Sequence, residues 1–505
     1  MTDLKEFTHV IDGYKLRQVE VLTRPLRPGV QETRYKIMYH ALAEGQVRNE
    51  IEGAQLLGLD VKGRPFRRFL LEFRRRLFAP LLFLDTETSP NFNTTQKANF
   101  ECLRKLATFQ TLVYRHCPEN ACILAKSIIE LAVQNDVTLV ALEMATFLKR
   151  YYVERVPDSE QYLYYQAYVE RLRLDWLAEN KAMESYQAVI APAVKFKSTQ
   201  LQISKRAHAL VESLSLYKEK CNTIIFVSGY YATRYIGEMA RFHWHDAIAV
   251  CDEAIRSLND KLCTSPRIMA VFKVHKVICL TMLDRYTEAL RLNSEVIQAE
   301  IEGSRNWFLY LDNQLLVSLK ATKYQFACET ATKIYSSRNF ATMPESIKES
   351  WTLLAAYLIL ADRNESINSG IQLEKVLNFR LNKFLNQVPN YSKDKKGLNV
   401  PILIAQFLFL LQAKEFDRAH DKLTSLRKYR VKHFNTEDGY YRTQLFIRML
   451  CSVAGTAFNK KLFLKKTVDM IKTVTQIPKG HPDQHFKIEI IPYEILWQWV
   501  ANCLD

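Results

Sequence analysis

The sequence predicts an all-α protein in which a small basic helical module precedes an α-solenoid of helical hairpins. Three observations support this fold class. The 505 residues include only 14 Gly and 15 Pro, too few for an all-β chain, which needs a turn about every ten positions. Hydrophobic residues make up 48% of the chain and charged residues 25%, which excludes wholesale disorder. The length exceeds one compact core and favours several globular units or one elongated repeat array.

The first 95 residues are predicted to form a separate module, because their composition differs from the rest. They contain five prolines and a dense arginine cluster. They also contain six glycines, and all six glycines precede residue 64. The run from Tyr35 to Leu59 predicts one or two short helices, with Gly58 as the stop. A longer helix is predicted to begin at Pro65 and to end at Pro80. Residues 96–505 are predicted to form the helical-repeat solenoid.

The longer helix is predicted to be amphipathic, with arginine on its outer face. Its apolar residues fall on one helical stripe, formed by Phe66, Phe69, Leu70, Phe73 and Leu77. The segment from Val61 to Arg76 carries one acid, Glu72, and seven positive residues: Lys62, Arg64, Arg67, Arg68, Arg74, Arg75 and Arg76. The helix dipole favours cations at the C-terminal end of a helix, which accounts for the last three. It does not account for the first four, which crowd the positive end of the dipole.

Three interpretations of this basic stretch stay open. The segment from Asn49 to Leu77 has the outline of a helix-turn-helix with a basic second helix, which favours contact with nucleic acid or phosphate. Docking of an acidic protein segment is the second interpretation. The third is a solvated helix face whose arginines pair with acids of the same chain, such as Glu50 or Glu52. The candidate anion- or partner-binding residues are Lys62, Arg64, Arg67, Arg68, Arg74 and Arg75.

Beyond a polar linker predicted at residues 85–98, nearly the whole chain is predicted to be helical. Apolar segments of helix length follow one another across short polar stretches, at residues 120–134, 136–155, 160–180 and 181–194. Such spacing is typical of helical hairpins.

An internal repeat runs through this helical region. An aromatic residue stands three positions before an alanine at Tyr164 and Ala167, which fit no repeat register. It does so again at four places that share one register: Trp244 and Ala247, Tyr286 and Ala289, Tyr324 and Ala327, Phe416 and Ala419. Twelve positions before these alanines stand Tyr235, Val277, Leu315 and Phe407, and seven positions after them stand Ala254, Val296, Ile334 and Leu426. The steps between alanines are 42, 38 and 92 residues, and the last fits two repeats of about 46 with an irregular one near Asn364 to Gln372.

This pattern resembles the tetratricopeptide repeat, in which an aromatic residue in the turn and a small residue early in the second helix let two antiparallel helices approach closely. The period here exceeds that family's usual length of about 34 residues, and larger residues occupy its small position in the first helix. The resemblance implies a tetratricopeptide-like α-solenoid over roughly residues 100–500, with a register defined from about 230 to 430. It also implies a scaffold that binds proteins or peptides, and it transfers no catalytic residue.

A second basic run lies near residue 430. Arg427, Lys428 and Arg430 surround the aromatic Tyr429. Interleaved aromatic rings can stack on bases, whereas a helix end with extended cationic side chains gives the same pattern. These three basic residues complete the candidate partner-binding set.

No motif for catalysis or for a cofactor occurs in the sequence. Glycine-rich phosphate loops, the H-E-x-x-H zinc pattern and the G-x-S-x-G nucleophile turn are missing. His243, His245 and Asp246 stand close together, but residues i and i+2 of a helix point about 200° apart. We therefore do not expect His243, His245 and Asp246 to form a metal site, and the chain is predicted to be neither an enzyme nor a protein that binds a metal or a cofactor.

Charge and cysteine usage bear on partners and location. The formal net charge is +16, which favours anionic partners. Ten cysteines without C-x-x-C spacing predict reduced thiols of a cytoplasmic protein, and no apolar run is long enough for membrane insertion. The sequence predicts a scaffold or adaptor for a protein or peptide. The alternative is a nucleic-acid-associated regulator with a helix-turn-helix-like basic module and a ligand-sensing solenoid.

Overall fold

The protein is helical throughout the residues that its computed structural model describes. These are residues 34–81, 92, 94–195, 200–261, 266–364, 372–386, 399–433, 441–477 and 487–504. Of these residues 83% are helical and none lies in a strand, which confirms the predicted all-α class. Within the same ranges no helix is both long and apolar enough to span a membrane.

The chain divides into two compact units, Met1–Arg173 and Leu174–Asp505. The first unit contains α1 (Arg34–Ala43), α2 (Glu50–Leu56), α3 (Arg64–Leu81), α4 (Thr94–Tyr114), α5 (Pro118–Gln134), α6 (Thr138–Glu154) and the first part of α7 (Ser159–Lys195). The second contains the rest of α7, then α8 (Gln200–Lys218), α9 (Ile224–Met239), α10 (Trp244–Asn259), α11 (Pro266–Met282), α12 (Tyr286–Gln298), α13 (Arg305–Lys320) and α14 (Tyr324–Ser336). A 3₁₀ helix (Arg338–Thr342) precedes α15 (Glu345–Arg363), α16 (Leu373–Val376), α17 (Leu381–Asn386), α18 (Asn399–Gln412), α19 (Phe416–His433), α20 (Tyr441–Gly455), α21 (Lys460–Gln476) and α22 (Tyr493–Cys503).

The predicted basic helix is α3, and its apolar stripe is buried against α1. Four of the five stripe residues are buried and Leu70 is half-buried. The rings of Tyr35 and Phe69 stack with their centroids 4.9 Å apart, which holds α1 on α3. Gly58 follows α2 with a φ of +62°, so it ends that helix as predicted. Helix α3 begins one residue earlier than predicted and continues past Pro80 to Leu81.

One predicted interruption of the helical region ends earlier than expected, and a second is wrong. Helix α4 begins at Thr94, inside the segment predicted as a linker at 85–98; residues 85–91 and 93 lie outside the described residues. Helix α7 runs without a break from Ser159 to Lys195, although two helices were predicted there. The physical reason is that residues 159–191 contain neither Gly nor Pro to end a helix.

Helices that follow one another in sequence pack on one another. In the first unit α4 packs on α5, and α5 packs on α6. In the second unit the helices from α8 to α14 pack in series, as do those from α18 to α22, while α15 contacts α13, α14 and α18. Packing between neighbours in sequence is what short helical hairpins produce.

Six of the turns that join these helices share one backbone geometry. In each turn a non-glycine residue with φ between 53° and 60° stands two positions before the next helix: His116, Asp136, Phe242, Asp284, Thr322 or Lys414. In the turn before α10, the Phe242 N–H donates to the Met239 carbonyl at 3.1 Å, and the His243 N–H donates to the Glu238 carbonyl at 3.1 Å. The same pair of bonds closes the other five turns. It is the Schellman closure of a helix C-terminus.

The four repeat alanines take one position relative to these turns. Each repeat aromatic is the first residue of a helix, and the alanine N–H donates to the carbonyl of the residue just before that helix. All four alanines are completely buried, and so are Ala121 and Ala141 at the same position in α5 and α6. Pro118 and Thr138 stand where the other turns have an aromatic residue, so the aromatic–alanine spacing could not find these two turns.

Replacing Ala247 by Leu is expected to lower the free energy of unfolding by about 1–3 kcal/mol, because the buried position has no room for added carbon atoms. Ala249 is exposed on the same helix, so Ala249→Leu is the matched control and is expected to change stability by less than about 0.5 kcal/mol. Denaturant midpoints measure both effects. If leucine is neutral at all four repeat alanines, they do not lie at close helix contacts.

Replacing Thr322 by Gly is expected to raise the free energy of unfolding by about 1 kcal/mol. Thr322 is exposed and β-branched, and it holds a φ of +58°, where an L-residue is strained and glycine is not. Thr322→Ala keeps the Cβ atom and serves as the control, with little change expected. A lower thermal midpoint for the glycine variant would contradict this account of the turn.

Candidate functional site

The structure places the start of the predicted basic helix on the surface. We use the term basic face for Lys62, Arg64, Arg67 and Arg68, which are all exposed. Within the described part of the chain, none of these four side chains forms an ion pair or a hydrogen bond. Four cations at a helix N-terminus, where the dipole is also positive, favour binding of an anion from outside.

Within the described residues these arginines do not pair with Glu50 or Glu52, as the third interpretation of the basic stretch proposed. Glu52 instead caps α2, since its Oε1 accepts from Asn49 Nδ2 at 2.9 Å and its Oε2 accepts from the Arg48 N–H. The Asn49 side chain in turn accepts from the Glu52 N–H at 3.0 Å. This reciprocal cap satisfies backbone donors of α2 and leaves the basic face without a carboxylate from Glu52.

The arginines at the other end of the helix have partners in the module. The guanidinium of Arg76 lies 4.2 Å from the centre of the Tyr35 ring and donates to Glu72 at 3.3 Å. Arg75 is exposed, with its Nη1 at 4.0 Å from Glu72, and Arg74 is half-buried. These positions suit the negative end of the helix dipole, so the basic face is confined to the first turn and the residues before it.

The second basic run lies in the C-terminal half of α19, in the second unit. Arg427 and Lys428 are exposed, and Arg430 is half-buried. Tyr429 is half-buried and packs against the hydrophobic core of that unit. Because its ring is used in packing, Tyr429 is poorly placed to stack on a base.

The turn between α9 and α10 gathers ionisable groups from three helices. His243 Nδ1 lies 3.5 Å from Glu238 Oε2 and 3.4 Å from Asp246 Oδ2. His208 Nε2, on α8, lies 3.2 Å from Glu238 Oε1. His245 is not part of this group. No sequence pattern indicates Glu238 and His208, because the turn and a third helix bring them to His243.

Burial shifts the pKa of several titratable groups in the direction that favours their uncharged forms. It raises the pKa of the Cys221 thiol to about 11 and that of Cys279 to about 12, against weaker opposing hydrogen bonds. Burial lowers the pKa of His275 to about 4. The nine described cysteines are all free, and six of them are buried. Thiols held protonated in this way are poor nucleophiles and poor metal ligands.

A buried ionic cluster near the C-terminus centres on Arg442, the second residue of α20. Arg442 Nε and Nη2 each donate to Glu489 at 2.8 Å, and Nη2 also donates to Glu494 at 2.6 Å. Nη1 donates to the carbonyls of Val474 and Ile477 at the end of α21. All three guanidinium nitrogens therefore have partners, and the cluster joins α20, α21 and α22.

The charges in this cluster hold each other ionised. Burial alone would raise the pKa of Glu489, but its hydrogen bonds with Arg442 and the charge of Arg442 bring that pKa below its ordinary value. Burial would likewise lower the pKa of Arg442, and the two carboxylates raise it instead. A fully paired buried cluster is a structural feature rather than a reactive one.

Comparison of the chain with protein-family models, with curated proteins and with solved structures finds no match in any of the three.

Replacing Arg442 by Met is expected to lower the free energy of unfolding by about 3–5 kcal/mol, because Glu489 is left buried without its counter-charge. The double variant Arg442→Met/Glu489→Gln removes that unpaired charge and is expected to recover part of the loss. Urea titrations of the wild type, both single variants and the double variant give the coupling energy.

The pH dependence of unfolding checks the same cluster. Because the pKa of Glu489 is lower in the folded state, its stabilisation is present above the unfolded value of about 4.3 and is lost as the pH falls through the folded pKa. The double variant should show a shallower loss of stability over this acid range. An equal slope for wild type and double variant would mean that the cluster contributes no charge-dependent stability.

Proposed function

We propose that this chain is a non-enzymatic helical-repeat scaffold, a tetratricopeptide-like α-solenoid that binds a protein partner. The observation that carries the proposal is the shared turn with its buried alanine, which recurs between α9 and α10, α11 and α12, α13 and α14, and α18 and α19. A helix–turn–helix unit repeated in this way contacts mainly its neighbours in sequence. Arrays of such units bind partners along extended surfaces.

The partner that we propose carries an acidic segment, and the basic face is its docking surface. Among the residues of α1 to α3 and the turns between them, ten are Lys or Arg and five are Asp or Glu. The exposed side chains of the basic face form no described ion pair, and the carboxylate of Asp60 beside them accepts from the Lys62 backbone N–H at 3.1 Å. Complementary charge on a partner would speed its association and fix its orientation more than it would add affinity.

One observation favours nucleic acid as a second candidate partner. Helix α2, the turn at residues 57–63 and helix α3 follow one another as two helices joined by a turn. The basic face covers the N-terminal part of the second helix, which is the part that contacts base edges in helix-turn-helix proteins. Binding there would make the chain a nucleic-acid-associated regulator.

The triple variant Arg64→Gln, Arg67→Gln and Arg68→Gln separates these functions. If the partner is an acidic protein, the wild type retains it from nuclease-treated native extract, and the triple variant loses it. If the partner is nucleic acid, the wild type binds a labelled duplex at low salt. The salt dependence of that binding should then flatten in the variant by roughly one unit per lost phosphate contact. Fluorescence anisotropy over a salt series measures the second outcome.

A charge-matched control removes three exposed arginines elsewhere in the first unit, by Arg115→Gln, Arg155→Gln and Arg173→Gln. This variant has the same net charge as the triple variant and should behave as the wild type. If both variants lose binding equally, the effect is one of net charge and the basic face is not the docking surface. If the wild type retains neither a protein nor nucleic acid, the docking proposal is wrong.

A further inference from the structure

The spacing of three side chains in the turn between α9 and α10 matches that of metal ligands. A tetrahedral ion with bonds of about 2.1 Å has its ligand atoms about 3.4 Å apart. His243 Nδ1 lies 3.5 Å from Glu238 Oε2 and 3.4 Å from Asp246 Oδ2, and all three ligand atoms fall within 4.8 Å of one another. We propose that Glu238, His243 and Asp246 bind one divalent transition-metal ion, with Zn²⁺ as the preferred ion.

The backbone of the turn fixes the positions of these ligands. Glu238 accepts the closing hydrogen bond of the turn from the His243 N–H, which sets the two residues side by side. Asp246 lies three positions after His243, in the first turn of α10. The other five turns of this geometry have no carboxylate at the position of Glu238, where they carry Leu112, Ala132, Leu280, Ser318 and Leu410. The third ligand is therefore peculiar to this turn.

A plain ion pair is the competing explanation of the same residues. The positions of His243 and Asp246 are occupied by Arg285 and Glu288 in one other turn, with nitrogen and oxygen 2.6 Å apart. Such pairs join one cation to one carboxylate in direct contact. His243 instead faces two carboxylates at longer distances, 3.5 Å to Glu238 and 3.4 Å to Asp246. An ion between the three side chains would have one ring nitrogen and two carboxylate oxygens as ligands.

His208 contacts the outer oxygen of Glu238 and acts as a positioning residue. Its Nε2 lies 3.2 Å from Glu238 Oε1, and its Nδ1 lies 2.9 Å from the Ser204 carbonyl and 3.2 Å from the Ser204 hydroxyl oxygen. With the ring proton on Nε2, His208 donates to Glu238 and Nδ1 accepts from the Ser204 hydroxyl. Gly237 allows this approach of α8 to α9, since a Cβ atom there would lie 3.1 Å from the Ala207 Cβ. Metal-binding carboxylates are commonly oriented by such outer hydrogen bonds.

The donor set selects the class of ion. One imidazole nitrogen with two carboxylate oxygens suits Zn²⁺ and neighbouring divalent transition metals, whereas Ca²⁺ and Mg²⁺ prefer oxygen alone. Two ligands are solvent-accessible, with the side chains of His243 and Asp246 exposed by 42% and 68%. An ion can therefore enter from solvent, and it would tie the end of α9 to the start of α10.

Calorimetric titration of the full, chelator-treated chain with Zn²⁺ tests the site. We expect one ion per chain, with affinity reduced at least about tenfold by His243→Ala and by Asp246→Asn. His245→Ala is the matched control and should bind as the wild type does. Both ligand positions are exposed, so these variants should fold, and circular dichroism verifies it. Absence of binding, or equal affinity in the wild type and both ligand variants, would leave only an ion pair at this turn.

Titration with Co²⁺ distinguishes this site from the free cysteines. Bound Co²⁺ should show visible absorption without the charge-transfer band of a thiolate ligand, and this absorption should be lost in His243→Ala. A thiolate band that survives in that variant would place the ion elsewhere and overturn the proposal. His208→Phe should weaken Co²⁺ binding about tenfold and His208→Gln less, because glutamine keeps a donor for Glu238. Equal binding by the two variants would remove the positioning role of His208.

Discussion

A single left-handed residue between two helices is the constraint on which the pairing of helices in this protein depends. That conformation lets two backbone N–H groups close the end of one helix and lets the next helix begin two residues later. The fourth side chain of the new helix then lies buried against its neighbours, and it is alanine in all six turns. None of the six left-handed residues is glycine, so the strain at each must be offset by the helix packing that it permits.

The sequence could predict the parts of this arrangement that depend on side-chain type. Helices, the apolar stripe of α3 and the repeat alanines all follow from spacing of apolar residues, and each repeat aromatic does begin a helix. The left-handed positions could not be found, because His116, Phe242 and Lys414 share no residue type that would mark them. The continuity of α7 is predictable from the lack of Gly and Pro between residues 159 and 191. Polar residues near position 180 are not enough to divide it into the two predicted helices.

The candidate sites also divide into those that the sequence predicts and those that it does not. The exposure of the basic face could be predicted because its four residues lie within one short stretch of sequence, from Lys62 to Arg68. The partners of Arg442 could not, since Glu489 and Glu494 lie 47 and 52 positions away and meet it only through the packing of α20 against α22. His208 and Glu238 are likewise 30 positions apart. Chemistry assembled by tertiary contact has no local pattern in the sequence.

Arginine has opposite physical roles in the two units. Every guanidinium nitrogen of Arg442 is bonded and buried, so salt in the solvent screens its interactions weakly. Arg67 and Arg68 are exposed to solvent, and any interaction with an outside anion is screened at a Debye length of about 8 Å in physiological salt. Ionic strength should thus act on partner binding at the basic face while leaving the core around Arg442 intact.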